Sequence, residues 1–589
     1  MNAANKDPVL VFDFYNNARE IRRLCFADPL KIVVATSISE VRPALRTVEQ
    51  AAKEGGYAAG YVSYEAAPAF ESAFVVRKNT RMPLLWFAIF QKPVEYRVGN
   101  GSAGKSVGGF RVSDWQTSIG HASYCENVAS IREAIARGDT YQINYTIRQH
   151  AKFEGDPFAF YERLRSAQRS RYCAYLDIGR YRILSVSPEL FFTRTDNRIV
   201  MRPMKGTAPR GRWTEEDDCL EAQLAASAKD RAENVMIVDL IRSDAGRVAV
   251  TGSVRVPSLF DIEHYPTVFQ MTSTVEATVT NETRLDEIFT ALFPSGSVTG
   301  APKISAMRLI ANLEDSPREV YCGAIGLMNP GGDCTFNVAI RTVIIDSEKG
   351  TAEYGVGGGI TWGSTAEGEY KEALVKANVL TRERAEFHLL ETLKLEDGEY
   401  LLLERHLRRL ADSARYFNIP LQTASIREAL NEYASKYCGE VRRVRLLVSL
   451  EGYVSIQSER YVPLGSASLP VKLAKEPISR RNRMLYHKTT ERKLYEVHLI
   501  ERTKTFDILL WNEESELTEF TRGNLVVEMD GRLWTPTVDC GLLPGTLRAE
   551  LLDSREIAER VIHKDELGSA TRLWFINSVR GWVPVRLIL

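Results

Sequence analysis

The stretch Arg202-Pro203-Met204-Lys205-Gly206-Thr207 follows the β-type run Leu190-Phe191-Phe192-Thr193 and holds a lysine between a rigid proline and a flexible Gly-Thr turn. A lysine kept out of water at such a corner has a lowered pKa and a free amine, ready to act as nucleophile or base. A solvated turn lysine would read the same in isolation, so the surrounding chain decides. Just upstream, Ser187-Pro188-Glu189 sets a carboxylate between the apolar runs Ile183–Val186 and Leu190–Phe192. Bulk on both sides would bury Glu189 and raise its pKa toward the range of a general acid. The spacing lets two neighbouring strands set Glu189 and Lys205 face to face.

The chain has 589 residues, enough for about four modules at roughly 150 residues each, or for two large domains. Apolar residues make up 44% and charged residues 26%, and there is no apolar run of about 18 residues, so the composition is that of a globular protein with ample core. Lys+Arg and Asp+Glu both total 76, which gives no overall field toward nucleic acid or a membrane, and neither is expected as a partner. The local basic clusters Arg405-His406-Leu407-Arg408-Arg409 and Arg480-Arg481-Asn482-Arg483 read as solvated faces or anion contacts. The cysteines at 25, 125, 173, 219, 322, 334, 438 and 540 include no CxxC pair, which argues against zinc and against a disulfide framework. Met1–Asp7 has no apolar stretch behind a basic segment, so no signal peptide is read and a cytoplasmic location is expected.

Along the chain, Val9–Phe12 and Lys31–Ala35 read as strands and Ile38–Glu54 as a helix. Gly99–Lys105 is loop. Ser123–Arg137 reads as an amphipathic helix closed by Gly138, followed by a strand on which Gln142 and Asn144 share a polar face. An edge strand with its polar side in water fits those two residues as well as a site does. Ala222–Leu240 reads as one long helix, with Glu233 among Val235, Met236 and Val238, where a carboxylate wants a cation partner. Gly355-Val356-Gly357-Gly358-Gly359 reads as a glycine turn whose N–H groups could nest an anion. The helix that follows carries Glu369 and Glu372 on one face. With Glu233 they would make a hard-oxygen site suited to Mg²⁺, although acidic helix starts also arise because they suit the macrodipole.

Taken together, these segments resemble the chorismate-utilising enzymes, the family of anthranilate synthase, aminodeoxychorismate synthase component I and isochorismate synthase. The resemblance covers roughly residues 120–380 and runs in family order. It passes through Gly138–Gln142, Ser187–Glu189, Pro203–Thr207, Ala232–Asn234, Asp239–Val248, Gly300–Lys303, Tyr321–Gly326, Asn337–Thr342 and Gly357–Gly359, and ends at Glu369 and Glu372. It implies that the Lys205 amine attacks ring C2 as the C4 hydroxyl leaves and that ammonia at C4 later expels it, with Glu189 as acid and base. Anthranilate synthases carry Ala at the Lys205 position, and isochorismate-forming relatives carry Lys at Gln142, so the aminodeoxychorismate branch is implied. The same resemblance makes Glu233, Glu369 and Glu372 the Mg²⁺ positions. It makes Thr299, Tyr321, Arg341 and the glycines Gly357, Gly358 and Gly359 the positions that hold substrate carboxylates. Two departures stand out: Gln270 where many relatives have His, and Ser243 where Asn is usual.

Past Thr381-Arg382-Glu383-Arg384, read as a charged hinge, Leu389–Gly398 reads as strand and turn and Leu403–Tyr416 as a helix. Glu404–Ala414, Tyr486-His487-Lys488-Thr489-Thr490, Leu517-Thr518-Glu519 and Leu543-Pro544-Gly545-Thr546-Leu547 resemble fold-type IV pyridoxal-phosphate enzymes. The His-Lys-Thr-Thr wording is nearest their aminodeoxychorismate lyase branch. The resemblance implies Lys488 as the Schiff-base lysine, Glu519 against the pyridinium nitrogen, and Arg409 with the N–H groups of Thr546 and Leu547 on the phosphate. This half lacks the N-terminal strands that usually precede its Leu-Glu-Thr segment.

The expected fold is α+β: a large chorismate-binding sandwich of antiparallel sheets with outer helices over residues 1–380, then a smaller two-lobed fold-type IV domain over 386–589. The expected function is two-step synthesis of 4-aminobenzoate, a folate precursor, from chorismate and ammonia, with Mg²⁺ and pyridoxal 5'-phosphate as cofactors. An aminotransferase or a non-catalytic scaffold is the alternative for the second half. No Gly-x-Cys-x-Gly elbow is present, so ammonia is expected from solution or from a separate glutamine amidotransferase.

Overall fold

The structure is a computed structural model describing residues 9–15, 21–94, 109–381, 387–465, 467–499 and 505–588. The expected loop at Gly99–Lys105, Met1–Asp7 and the hinge residues Arg382–Arg384 lie outside the described residues. The chain divides into two compact units, one of Met1–Pro209 with Glu221–Arg384, the other of Arg210–Leu220 with Ala385–Leu589.

In the first unit, apolar strands fold into two ten-stranded sheets, and the paired strands within each run antiparallel. One sheet runs from Gly300–Ala301 through Gln142–Gly155, Thr351–Ile360, Thr342–Asp346 and Tyr181–Ser187 toward Leu10–Tyr15. The other runs from Met204–Pro209 at its edge through Val268–Thr278, Arg198–Arg202, Leu190–Thr195 and Cys334–Val338 to Lys31–Ala35. Strands such as Leu85–Phe90 are buried along their whole length, as strands covered on both faces must be. One core cluster joins Phe12, Leu176 and Ile183 of the first sheet to Tyr61, Ile325 and Leu327 of the second, so the sheets stack face to face. Helices cover the two outer faces, Ile38–Lys53 and Leu285–Leu292 on one side, His121–Ala136 and Ala366–Ala377 on the other.

The helix read over Ala222–Leu240 is two helices, Thr214–Ala226 and Ala228–Gly246. Ser227 breaks it, taking extended backbone and accepting the Asp230 N–H on its hydroxyl, the geometry of an N-cap. The glycine segment is not a turn either: Gly355–Gly359 lie inside the strand Thr351–Ile360 and pair with Asn144–Arg148.

The second unit has two lobes. A four-stranded antiparallel sheet, with Leu389–Glu396 and Arg442–Val448 at its centre, packs one face on the helices Leu403–Tyr416 and Thr423–Ala434. An eight-stranded mixed sheet closes on itself through pairing of Leu517–Phe520 with Gly523–Met529. All eight cysteines are free. Among the described residues, no helix is long and apolar enough to cross a membrane.

Phe289 is the hub of the outer core of the first unit, with its ring 5.8 Å from Phe70, 5.8 Å from Phe191, 5.6 Å from Phe192, 5.6 Å from Phe293 and 5.2 Å from Phe336. Phe289→Ala is expected to destabilise this unit by about 3–5 kcal/mol. Denaturant-dependent hydrogen exchange should show the loss in the first unit's strands and not in residues 387–588. A loss below about 1 kcal/mol would mean the cluster does not bind the layer together.

Candidate functional site

Lys205 lies on the edge strand Met204–Pro209. Gly206 has φ of 95°, a conformation glycine adopts without strain. The Gln270 amide donates to the Gly206 carbonyl at 2.8 Å, and the Thr207 hydroxyl donates to Gln270 Oε1 at 3.0 Å. Gln270 therefore staples the turn, which gives this departure from the family pattern a structural role. Asn234 donates to the Lys205 carbonyl at 3.3 Å and is itself fixed by Ser273 at 2.5 Å.

With its backbone held, Lys205 directs its amine at the strand Thr351–Ile360. A side chain at Gly359 would collide with Lys205 Nζ, and its Cβ would stand 2.7 Å from Gln142 Nε2. Gln142 is fully buried, and among the described residues neither atom of its amide has a hydrogen-bond partner. Its strand is no edge at that point, because Gly300–Ala301 pairs against Gln142 and Ile143 and covers them. A buried, unpartnered amide is costly, and this one faces the amine of Lys205. Burial lowers the Lys205 pKa, the Glu233 carboxylate opposes that shift, and the Lys376 ammonium adds to it.

Glu189 is buried, and its Oε1 accepts from the Ser297 hydroxyl at 2.5 Å. Burial pushes its pKa up to about 7, against the lowering effects of the Ser297 hydrogen bond and the Lys205 charge. The structure thus brings Glu189 into the field of Lys205.

At the next glycine, a Cβ on Gly358 would stand 3.1 Å from Glu369 Oε2, 3.5 Å from Lys376 Nζ and 3.9 Å from Glu372 Oε1. Ser364 donates to Glu369 at 2.6 Å, and Lys376 bridges Glu372 at 2.8 Å and the Gly357 carbonyl at 3.0 Å. Burial raises the Glu369 pKa, whereas Lys376 lowers that of Glu372. Glu233, on the helix Ala228–Gly246, acts on the same Lys205 charge. Among the described residues, no group of three or more His, Cys, Asp or Glu is gathered closely enough to hold a metal ion; Glu369 and Glu372 stand as a pair beside an ammonium.

Arg341 is half-buried, sits at φ of 51° and has its pKa lowered by burial. No carboxylate among the described residues pairs with it. Tyr321 packs its ring beneath Gly355, with the Arg148 guanidinium 5.1 Å above the ring centre. The Thr299 hydroxyl is spent on the Ser295 carbonyl at 3.0 Å. The expected glycine nest gives way to a bare strand surface: Gly357–Gly359 are engaged in the ladder, and their lack of side chains makes room for Lys205, Gln142 and Glu369.

The second unit holds a cavity of about 520 Å³ lined by Lys488, Glu519, Arg409, Asn524 and Thr546. Burial and the nearby Arg409 charge lower the Lys488 pKa to about 8. Burial raises that of Glu519 to about 8, although Tyr495 donates to it at 2.8 Å and Asn524 at 3.3 Å. Arg409 forks onto Glu391 at 2.9 and 2.6 Å and donates to the Pro544 carbonyl at 3.2 Å. His406 closes the chain between Glu391 at 2.6 Å and Thr546 at 3.3 Å. Thr546 and Leu547 begin the helix Thr546–Asp553, so their N–H groups belong to its unsatisfied first turn. The basic cluster at 405–409 therefore splits: Arg405 pairs with Glu550 and Asp553, while His406 and Arg409 are anchored on Glu391. Arg443, Arg445, Arg460, Arg492, Arg522 and Arg580 line the same cavity.

Sequence reasoning passed over Lys376, Ser297, Ser364, Tyr495 and Glu391. Only Lys376 carried a signal, lying one helical turn after Glu372; the others depend on long-range pairing.

Residues 6–382 match the family model described as chorismate binding enzyme, and residues 388–588 match the one described as amino-transferase class IV. Aminodeoxychorismate synthase component 1 of Escherichia coli (strain K12) is 41% identical over 271 residues, which are 46% of this chain and 59% of that protein. Anthranilate synthase component 1 of Saccharolobus solfataricus is 35% identical over 336 residues, 54% of this chain and 79% of that protein. The crystal structure of anthranilate synthase component I from Streptococcus pneumoniae TIGR4 superposes with a TM-score of 0.52 at 25% identity, covering 65% of this chain and 94% of that one. Two stacked antiparallel sheets, the contact of half-buried Lys205 with Gly359 and buried Gln142, and the matched residues lead to one conclusion: through residues 6–382 this chain belongs to the chorismate binding enzyme family, and residues 388–588 match the class IV amino-transferases.

Proposed function

We propose that the first unit converts chorismate and ammonia to 4-amino-4-deoxychorismate, and that the second releases pyruvate from it to leave 4-aminobenzoate. The observation that carries the first step is the Lys205 amine, desolvated and held against Gly359 and Gln142. A neutral amine there is a nucleophile for ring C2. Glu189, with a pKa of about 7, holds a proton for the departing C4 hydroxyl at neutral pH and takes one back when ammonia adds and Lys205 leaves. The Arg341 guanidinium, which no carboxylate among the described residues pairs with, suits a substrate carboxylate. Glu369 and Glu372 are hard oxygen donors, and Mg²⁺ binds through few carboxylates and several waters, so this pair would hold that ion, while Glu233, which the sequence resemblance adds to the set, is not gathered with them among the described residues. Mg²⁺ bound there would neutralise a carboxylate of the substrate. Ammonia would come from solution or from a separate glutamine amidotransferase. The balanced charge of the chain gives no overall field toward nucleic acid or a membrane, and a cytoplasmic location remains part of the proposal.

In the second unit, the cavity fits pyridoxal 5'-phosphate. Lys488 would anchor it, Glu519 would face its ring nitrogen, and Arg409 with the N–H groups of Thr546 and Leu547 would hold its phosphate; the cofactor supplies an electron sink when bound. Lys488, with its pKa lowered to about 8, is suited to move a proton as general base. The six arginines that line the cavity besides Arg409 favour a substrate with more than one carboxylate, as aminodeoxychorismate has. The description of the matching family, amino-transferase class IV, supports a second reading as an aminotransferase. Incubation with chorismate, ammonia, Mg²⁺ and pyridoxal phosphate separates the two. Pyruvate and 4-aminobenzoate in equal amounts support the lyase, whereas amino transfer that requires an added 2-oxoacid supports the aminotransferase.

Lys205→Ala should lower aminodeoxychorismate formation by at least ~10²-fold, with pyruvate release from supplied aminodeoxychorismate unchanged; unaltered formation would exclude the nucleophile role. The Glu189 pKa of about 7 sets the sign of the pH profile. As pH rises through 7 the carboxyl loses the proton needed by the leaving hydroxyl, so the rate should fall on that limb. Glu189→Gln should remove the limb and cost ~10²–10⁴-fold in rate. A limb that persists in the variant would assign the titration to another group.

A further inference from the structure

Arg210–Leu220 follows the Lys205 strand in sequence yet belongs to the second unit. Within that unit it is tied down by ring contacts and by polar contacts, of which the Arg210–Asp217 pair is buried. The Arg210 guanidinium forks onto Asp217 at 2.9 and 2.6 Å, donates to the Tyr416 carbonyl at 2.9 Å and lies 4.6 Å over the Tyr416 ring. Tyr416 answers by donating its hydroxyl to the Gly211 carbonyl at 2.6 Å. The Trp213 ring lies 5.0 Å from that of Tyr486 and packs against a core of Leu485, Tyr486, Tyr495 and Ile508. Arg212 covers Trp213 at 4.5 Å and donates to the Tyr486 hydroxyl at 3.3 Å. Asp218 takes a fork from Arg415 at 2.8 and 3.0 Å.

The two tyrosines gripped in this way flank His487. Its ring lies 4.2 Å from Tyr416, its Nδ1 is 3.1 Å from the Ser413 hydroxyl, and the Arg212 backbone stands against it. Burial, with Arg483 and Arg210 nearby, lowers its pKa to about 3, so it is a neutral packing group at physiological pH. Lys488 is the next residue. The segment therefore clamps the turn immediately before Lys488.

We propose that Arg210–Leu220 is a strap that positions Lys488, with Trp213 and Arg210 as positioning residues of the second site. The proposal rests on the reading of Lys488 as the cofactor lysine. Lys488 faces Arg409, Glu391, Arg492 and Glu519. Loosening the turn admits water to its amine and relaxes those distances.

The test uses the full-length protein with Trp213→Ala, Trp213→Phe and Arg210→Ala. Three readouts are taken: the pH midpoint of Lys488 labelling in protein free of cofactor, by mass spectrometry; retention of added pyridoxal phosphate on gel filtration; and ammonia-dependent chorismate consumption. Trp213→Ala and Arg210→Ala should move the labelling midpoint upward from near 8 toward that of a solvated lysine and weaken cofactor retention about tenfold. Trp213→Phe should restore both, and chorismate consumption should stay within twofold in all three. An unchanged midpoint and retention in both alanine variants would overturn the strap. So would a variant in which Lys488 becomes fully reactive only because the second unit has unfolded, seen as loss of hydrogen-exchange protection throughout residues 387–588. Wild-type protein that binds no pyridoxal phosphate would instead overturn the reading of Lys488, while the labelling midpoints would still decide the strap.

Discussion

The first site depends on the close approach of a lysine amine to a strand with no side chains. At Gly359 the Lys205 ammonium group and the Gln142 amide fill the volume that a methyl would need; at Gly358 the Glu369 carboxylate and the Lys376 amine do the same one step along. Glycine in the middle of a strand weakens it, so the strand Thr351–Ile360 is held instead by ladder pairing with Gln142–Gly155 along its whole length. The remaining features follow from placing charge in this dry corner. Burial lowers the pKa of Lys205 and raises those of Glu189 and Glu369, so each group is shifted toward its neutral form, Glu189 to about 7.

The second unit applies the same physics with different anchors. Lys488 and Glu519 share one cavity, and burial draws both pKa values to about 8. Glu391 holds the Arg409 guanidinium through two hydrogen bonds, and His406 links that pair to Thr546. Buried charge is tolerated where it is paired and fully hydrogen-bonded, and this network places a cation at the opening turn of the helix Thr546–Asp553, where the N–H groups also favour an anion.

Much of this was legible in the sequence because it is local. The alternating and continuous apolar runs announced the strands, Leu403–Tyr416 was read to its ends, and Lys205, Glu189 and Lys488 stood in segments with distinctive flanks. What escaped depends on chain segments meeting from afar. For Gln142 the sequence left a water-facing edge and a site equally open, and only the pairing of Gly300–Ala301 against it removes the edge. Gly355–Gly359 read as a turn because glycine runs usually are turns; their role as bare strand appears only when Lys205 and Tyr321 arrive against them. The long helix at 222–240 hid a break because Ser227 is compatible with both a helix interior and a cap. Nothing in the composition of Arg210–Leu220 signals that it departs from the unit on either side of it.

Gly359→Ala tests the central claim most directly, because it adds one methyl group and alters no charge. The measurement is ammonia-dependent aminodeoxychorismate formation, with hydrogen-exchange protection of the first unit and pyruvate release from supplied aminodeoxychorismate recorded on the same preparation. The account predicts a fall of at least ~10²-fold in formation, the scale expected when a reacting group is displaced by about an ångström, with the other two readouts unchanged. Formation within a few-fold of wild type would contradict it, because the Lys205 amine would then not occupy the space that Gly359 leaves open.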